Sequence, residues 1–249
     1  MKTITSRSNE QIKEVCELHE VKGRTQHKKF LGQGERVCTT LIKNRMKLVQ
    51  LYVTQEYMTQ AQKLANDFFI TLVNKSVMEK ISTLTSASGM IGVFEIPATP
   101  PLAQLKSGLV MAQIADPGNM GTLIRTAAAL NVKNIVIVEG ADVWSPKVIQ
   151  ATAGTIALVD IFVLSWQALV TWKKDARLAA LVVKGGKNPS DINAQNLLLV
   201  VGNEATGIQP SWLRDCTDYI TIPMPGDVES LNAAVAGSLG LYLTFGKGA

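Results

Sequence analysis

Cysteine and histidine are scarce in this 249-residue chain, with three of the first and two of the second. Cys16, Cys38 and Cys216 are odd in number and widely spaced, which excludes a readable disulfide framework or a CxxC metal site. His19 and His27, eight apart with no cysteine beside them, do not make a zinc site, so no metal is expected. Both histidines lie near the N-terminus, which leaves any later serine or cysteine nucleophile without a base. Cys216 also has no cationic or helix-start neighbour strong enough to mark it as a nucleophile. No apolar run approaches a membrane span, and MKTITSRSNEQIKEV has no apolar signal core. The expected setting is cytoplasmic, with no membrane partner.

Acidic residues are short in one part only. Residues 1–95 carry 14 Lys and Arg against 9 Asp and Glu, whereas residues 96–249 carry 11 of each. The excess concentrates between Lys22 and Lys47, where eight basic residues face Glu35 alone. A block of this kind is the electrostatic footprint expected for a polyanion, although a solvated basic face looks the same. The stretch KGRTQHKKF adds His27 and Phe30 as rings able to stack on bases. Lys22, Arg24, Lys28, Lys29 and Arg36 are therefore the candidate nucleic-acid contacts.

Apolar periodicity predicts helices over 12–18 and 36–48, then strands at LVQLYVTQ, FITLVN and MIGVFEI with helices at EYMTQAQKLANDF and SVMEKIST between them. Alternating elements suggest a small α/β domain over 1–95. PATPP then places three prolines in five residues, which suits neither helix nor central strand, and residues 96–107 read as a linker. From 108 to 249 longer apolar strands alternate with helices, as a parallel sheet covered on both faces requires. Ligands of such sheets bind beyond the carboxyl ends of the strands.

Three stretches of the second part stand out. ADPGNMGTLIRTAAAL reads as a glycine turn entering a helix, which suggests a dinucleotide grip, with Glu139 placed as the ribose-binding acid. Lining up that fingerprint puts Asp116 at its first glycine, and a carboxylate there repels a pyrophosphate. LLLVVGNEATGI is a strand exit bracketed by Gly202 and Gly207, lacking the Lys and Ser or Thr of a phosphate loop. ITIPMPGDVESLNAAVAGSLGLYL breaks at Pro223, Pro225 and Gly226. Ser230 is its expected helix cap, and Leu231, Ala234, Val235, Ser238, Leu239 and Tyr242 its expected packed face.

Together these stretches resemble the three motifs of the SpoU (TrmH) family of RNA ribose 2′-O-methyltransferases. They would be Asp116-Pro117-x-Asn119-x-Gly121-x-x-x-Arg125, then Val201-Gly202-Asn203-Glu204-x-x-Gly207, then Ile222-Pro223-Met224 followed by Glu229-Ser230-Leu231-Asn232. Ala205 departs from the pattern, since many members have glycine there. The first part is similar to the L30e-like substrate-binding domain that precedes the catalytic domain in many members. Asn9, Ile12, Lys13, Leu18, Arg24, Phe30, Leu31, Gly34 and Arg36 fall at its recurring positions.

The resemblance implies S-adenosylmethionine as methyl donor, an α/β parallel sheet with a C-terminal trefoil knot, and a homodimer. It places Gly202, Ile222, Met224 and Leu231 at the cofactor. It makes Arg125 the catalytic arginine, with Asn119, Glu204, Ser230 and Asn232 holding that arginine and the ribose. Ribosomal RNA is the expected substrate. Transfer RNA, a self-protecting ribosomal methylation, and a non-catalytic RNA-binding protein are the alternatives, and a nicotinamide dehydrogenase is disfavoured by Asp116.

Overall fold

A computed structural model describes residues 2–173 and 175–246. Unit one has strands β1 (Lys2–Ile4), β2 (Lys29–Gln33), β3 (Leu48–Val53), β4 (Ile70–Val73) and β5 (Met90–Glu95). Its helices are α1 (Glu10–Glu17), α2 (Val21–His27), α3 (Glu35–Lys43), α4 (Met58–Leu64) and α5 (Lys75–Ile81). The sheet order is β1-β4-β3-β5-β2, with β5 antiparallel to both of its neighbours. Successive strand side chains face opposite ways. Tyr52, Ile91 and Val93 accordingly join the core under α1 and α5, while Leu51, Val53 and Met90 join Cys38, Met58 and Ala61 from α3 and α4.

Unit two comprises β6 (Gly108–Ala112), α6 (Pro117–Ala129) and β7 (Asn134–Val138), and resumes with β8 (Asp160–Val163), α8 (Trp166–Trp172), β9 (Arg177–Leu181), β10 (Leu197–Val201), α9 (Pro210–Leu213), β11 (Asp218–Ile220) and α10 (Ala233–Phe245). Its six strands, in the order β11-β9-β10-β6-β7-β8, are all parallel. β6 and β10 are buried along their whole length, the mark of a sheet covered on both faces. α8 and α9 pack on one face, where Trp166 and Trp212 stack at 4.8 Å. α6 and α10 take the other. There a Cβ on Gly237 would come within 2.5 Å of Leu123, so the helices approach this closely only over glycine.

Helix α7 (Pro146–Thr152) belongs to neither stretch of unit two. The units are Met1–Ala98 with Asp142–Ala157, and Thr99–Ala141 with Leu158–Ala249. Within unit one, Trp144 lies against Phe30, and Gly154 fits against Thr40. Two further differences from the sequence reading concern the join and α10. Residues 99–107 of the expected linker belong to unit two, where Leu105 is buried and Ser107 Oγ donates to the Ala194 carbonyl at 3.1 Å. On α10 the buried residues are Ala234, Gly237, Gly240, Leu241 and Thr244, whereas Val235, Leu239 and Tyr242 of the expected packed face are exposed.

Candidate active site

Three strand-to-helix corners meet at the carboxyl end of the parallel sheet. At the first, Asp116 caps α6 by accepting from the Asn119 N–H at 2.8 Å, and Pro117 follows, where a missing N–H costs nothing. The stretch read as a glycine turn is thus helix from Pro117 onward. At the second, Asn203 and Gly207 exchange backbone hydrogen bonds of 3.0 Å in both directions. A Cβ on Gly202 would sit 2.4 Å from the Gly207 carbonyl carbon and 2.5 Å from the Ile208 nitrogen, so that position admits only glycine. Gly207 adopts φ +67, whereas Ala205 has no positive φ and its methyl group is free of strain.

At the third corner the cap is Asn232, not Ser230. The Asn232 side-chain oxygen accepts from the Ala234 and Val235 N–H groups at 2.9 and 3.2 Å, and the helix starts two residues later than expected. The other end of the same amide donates to Asn119 Oδ1 at 3.1 Å. Asn119 Nδ2 in turn donates to Glu204 Oε1 at 3.0 Å. Glu204 also accepts from the Asp116 N–H at 3.1 Å and the Ala115 N–H at 3.3 Å. Partial burial pushes the Glu204 carboxyl up, but the Asn119 amide and the backbone N–H donors outweigh it and hold the group below the ordinary glutamate value. Two carboxylates therefore occupy the Ala115, Asp116 and Asn119 N–H groups at the entrance of α6, and their charge opposes a pyrophosphate there.

Beside this chain of bonds lies a cavity of about 320 Å³. Gly202, Ile222, Met224 and Leu231 all line it, together with Glu204 and Ser230. Its volume falls at the lower end of the range for small-molecule sites, about 300–1,000 Å³. The walls that no motif foretold are Leu181, Val182 and Val183 from the end of β9. Strand order explains them: β9 sits between β10 and β11, so its carboxyl end must adjoin both motif-bearing loops.

Arg125 is not drawn into this arrangement. It follows Asn119 by six residues on α6, about 9 Å along the axis and about a third of a turn round it. The Asn119 side of the helix faces α10, as the 3.0 Å contact between Thr126 Oγ1 and Ser238 Oγ shows. Arg125 is exposed beside that seam and, among the described residues, makes no hydrogen bond or ion pair. The expectation that Asn119, Glu204, Ser230 and Asn232 hold it is replaced within one chain by bonds among Asn119, Glu204 and Asn232 themselves.

The candidate RNA contacts divide. Lys22, Lys28 and Arg36 are exposed. Lys29 is half-buried in a 2.6 Å ion pair with Glu14. Arg24 is 4% exposed, and its guanidinium is spent on Asp142 and on the Leu18 and His19 carbonyls. Phe30 is fully buried between Phe94 and Trp144, and His27 Nε2 lies 2.6 Å from Glu17, so neither ring is offered to bases. Cys216 is buried, which pushes its thiol up to about 12 and leaves no thiolate for chemistry.

Residues 106–242 match the SpoU rRNA Methylase family, and residues 9–92 match the MRM3-like substrate binding domain. The chain is 28% identical to an uncharacterized tRNA/rRNA methyltransferase of Synechocystis, over 96% of its length and 92% of that protein. It is 25% identical to the 23S rRNA (guanosine(2553)-2′-O)-methyltransferase RlmP of Bacillus subtilis, over 97% of its length and 98% of that protein. Among solved structures, the AdoMet-bound rRNA methyltransferase of Sinorhizobium meliloti superposes with a TM-score of 0.85 at 25% identity, covering 98% of this chain and 97% of that one.

Proposed function

Because the chain belongs to the SpoU rRNA methylase family, we propose that it transfers a methyl group from S-adenosylmethionine to a ribose 2′-hydroxyl of ribosomal RNA. The observation that carries this reading is the convergence of Gly202, Ile222, Met224 and Leu231 on one cavity, with the Glu204–Asn119–Asn232 chain of bonds beside it. Aliphatic walls and glycine-bearing loops suit a nucleoside and a thioether chain held by backbone groups. In this reading Gly202, Ile222 and Leu231 hold the adenosyl part, with Met224 close by. When bound, the cofactor supplies a methyl group already activated on a sulfonium.

What the protein must add is alignment and relief of a proton from a very weakly acidic hydroxyl. A guanidinium stays protonated. Arg125 therefore binds the target phosphate and orients the hydroxyl, with deprotonation assisted by that phosphate. Its lack of a partner among the described residues leaves it available for this. Glu204 and Asn232 fix the Asn119 amide, and Ser230 faces the ribose. Unit one is the RNA-binding part, contacted through Lys22, Lys28 and Arg36. Val235, Leu239 and Tyr242, exposed by 48, 40 and 62% along α10, form the contact with a second copy in a homodimer. A C-terminal trefoil knot and a cytoplasmic setting complete the proposal.

Thermal shift tests the cofactor: S-adenosylmethionine raises the melting temperature and NAD does not. Arg125→Ala should lower methylation of ribosomal RNA by more than tenfold, about 1.4 kcal/mol of barrier, while keeping that shift. A smaller loss removes Arg125 from the mechanism, and no shift with S-adenosylmethionine removes the reading itself. Mapping 2′-O-methyl groups in cells lacking the protein identifies the nucleotide, and a loss confined to transfer RNA would replace the ribosomal substrate.

A further inference from the structure

The first four strands of unit one all start at the same end of its sheet, and β5 finishes there. Two turns crowd that end with basic side chains. Lys28 closes α2 just before β2, and Arg45 and Lys47 lie in the turn between α3 and β3. Backbone bonds hold the turns together across β5: the Ile96 N–H donates to the Lys28 carbonyl at 2.8 Å and the Glu95 N–H to the Lys47 carbonyl at 3.0 Å. Next along the sheet, before β4, stands Phe68. Its ring is 83% exposed and edge-on to Phe69 at 5.4 Å. Gln50 of β3 anchors this turn by donating to the Phe69 carbonyl at 2.7 Å.

Lys28 and Arg45 carry φ values of 52 and 63, conformations that favour glycine or asparagine. A basic residue near a helix C-terminus gains from the helix dipole, which accounts for Lys28 and Arg45 in part. It does not account for an almost fully exposed phenylalanine, nor for a Lys47 that stays 73% exposed while paired with Glu95. The carboxylates at this end are engaged, Glu95 with Lys47 at 2.8 Å and Asp67 with Gln62 at 3.2 Å, whereas Lys28 and Arg45 have no side-chain partner among the described residues. From β4 to β2 the row spans three strand spacings, about 15 Å.

We propose that this end of the sheet is a platform for single-stranded RNA, with Phe68 stacked under an unpaired base and Lys28, Arg45 and Lys47 taking the flanking phosphates. Aromatic stacking with a basic track is the general way single strands are held without reading their sequence. The inference rests on the RNA-directed function above and adds the surface of unit one that holds the strand.

Binding of an unstructured pyrimidine-rich RNA oligomer to the full chain, titrated with salt, tests it. Phe68→Ala should weaken binding about tenfold and leave the salt dependence intact. The triple variant Lys28→Asn, Arg45→Asn, Lys47→Gln keeps side chains tolerant of the left-handed turns, and should flatten the logarithmic salt slope by about two units. A control at the opposite end, Lys75→Gln with Lys80→Gln, should bind as the unaltered chain does. Unaltered melting temperatures and S-adenosylmethionine shifts confirm that each variant is folded and loaded. Undiminished binding by both platform variants overturns the platform alone. If the unaltered chain binds no RNA, the functional reading falls and the platform with it.

Discussion

Asp142→Ala probes how unit one is closed. Arg24 is 4% exposed, with Nε 2.8 Å and Nη2 2.6 Å from Asp142 Oδ2, and Nη1 bound to the Leu18 and His19 carbonyls at 2.7 and 2.8 Å. Removing the carboxylate leaves a buried cation with neutral acceptors only. Breaking a fully buried pair costs about 3–5 kcal/mol. The Asp142 side chain is 26% exposed, so water can replace part of the interaction, and the expected loss is about 2–3 kcal/mol. For a chain of this size that lowers the melting temperature by about 4–12 °C in a circular-dichroism melt. Arg24→Met introduced into the Asp142→Ala background should recover part of the loss, because the unpaired charge is gone. A single-variant shift below about 2 °C, or no recovery in the pair, would refute the reasoning.

Three further outcomes are expected. Gly202→Ala should abolish the S-adenosylmethionine thermal shift, because its methyl group would collide with the backbone at Gly207 and Ile208; a retained shift would dissociate this loop from the cofactor. Asn232→Ala should cost about 1 kcal/mol as a lost helix cap, and Asn232→Asp, which still caps, should restore stability without restoring the donor to Asn119 and hence without restoring methylation. Glu204 is held below its ordinary value, so its contribution is present at neutral pH and fades as pH falls through the folded value; Glu204→Gln should be less stable at pH 7 and converge with the unaltered chain in acid. Equal pH dependence of the two melting temperatures would refute that assignment.

Much of the second unit was legible because its strands announce themselves. Leu197–Val201 is uninterrupted aliphatic sequence and forms a strand buried on both faces. The motif residues were legible as chemistry but not as neighbours: nothing local says that Asn232 caps a helix and also reaches Asn119, 113 positions away. The orientation of α10 was illegible for a different reason. Its residues are apolar on every side, so periodicity defines no face, and two glycines make the buried one. In the first unit, charge concealed structure. Lys29-Phe30-Leu31-Gly32-Gln33 read as part of a basic block, yet it is a strand whose Phe30 lies in the core. Arg24 belonged to the same block until Asp142, 118 residues away, claimed it.

The division at Ala98, Asp142 and Ala157 also sets an order of events at the ribosome. Residues up to 98 emerge first, lacking the stretch that shields Phe30 and neutralises Arg24. That stretch is finished about sixty residues later, about 3–12 s at ordinary elongation rates. During this interval the nascent chain presents an incomplete apolar face, and its completion waits on translation rather than on folding. Slower elongation through residues 99–157 would prolong the interval and, with it, the chain's dependence on chaperones.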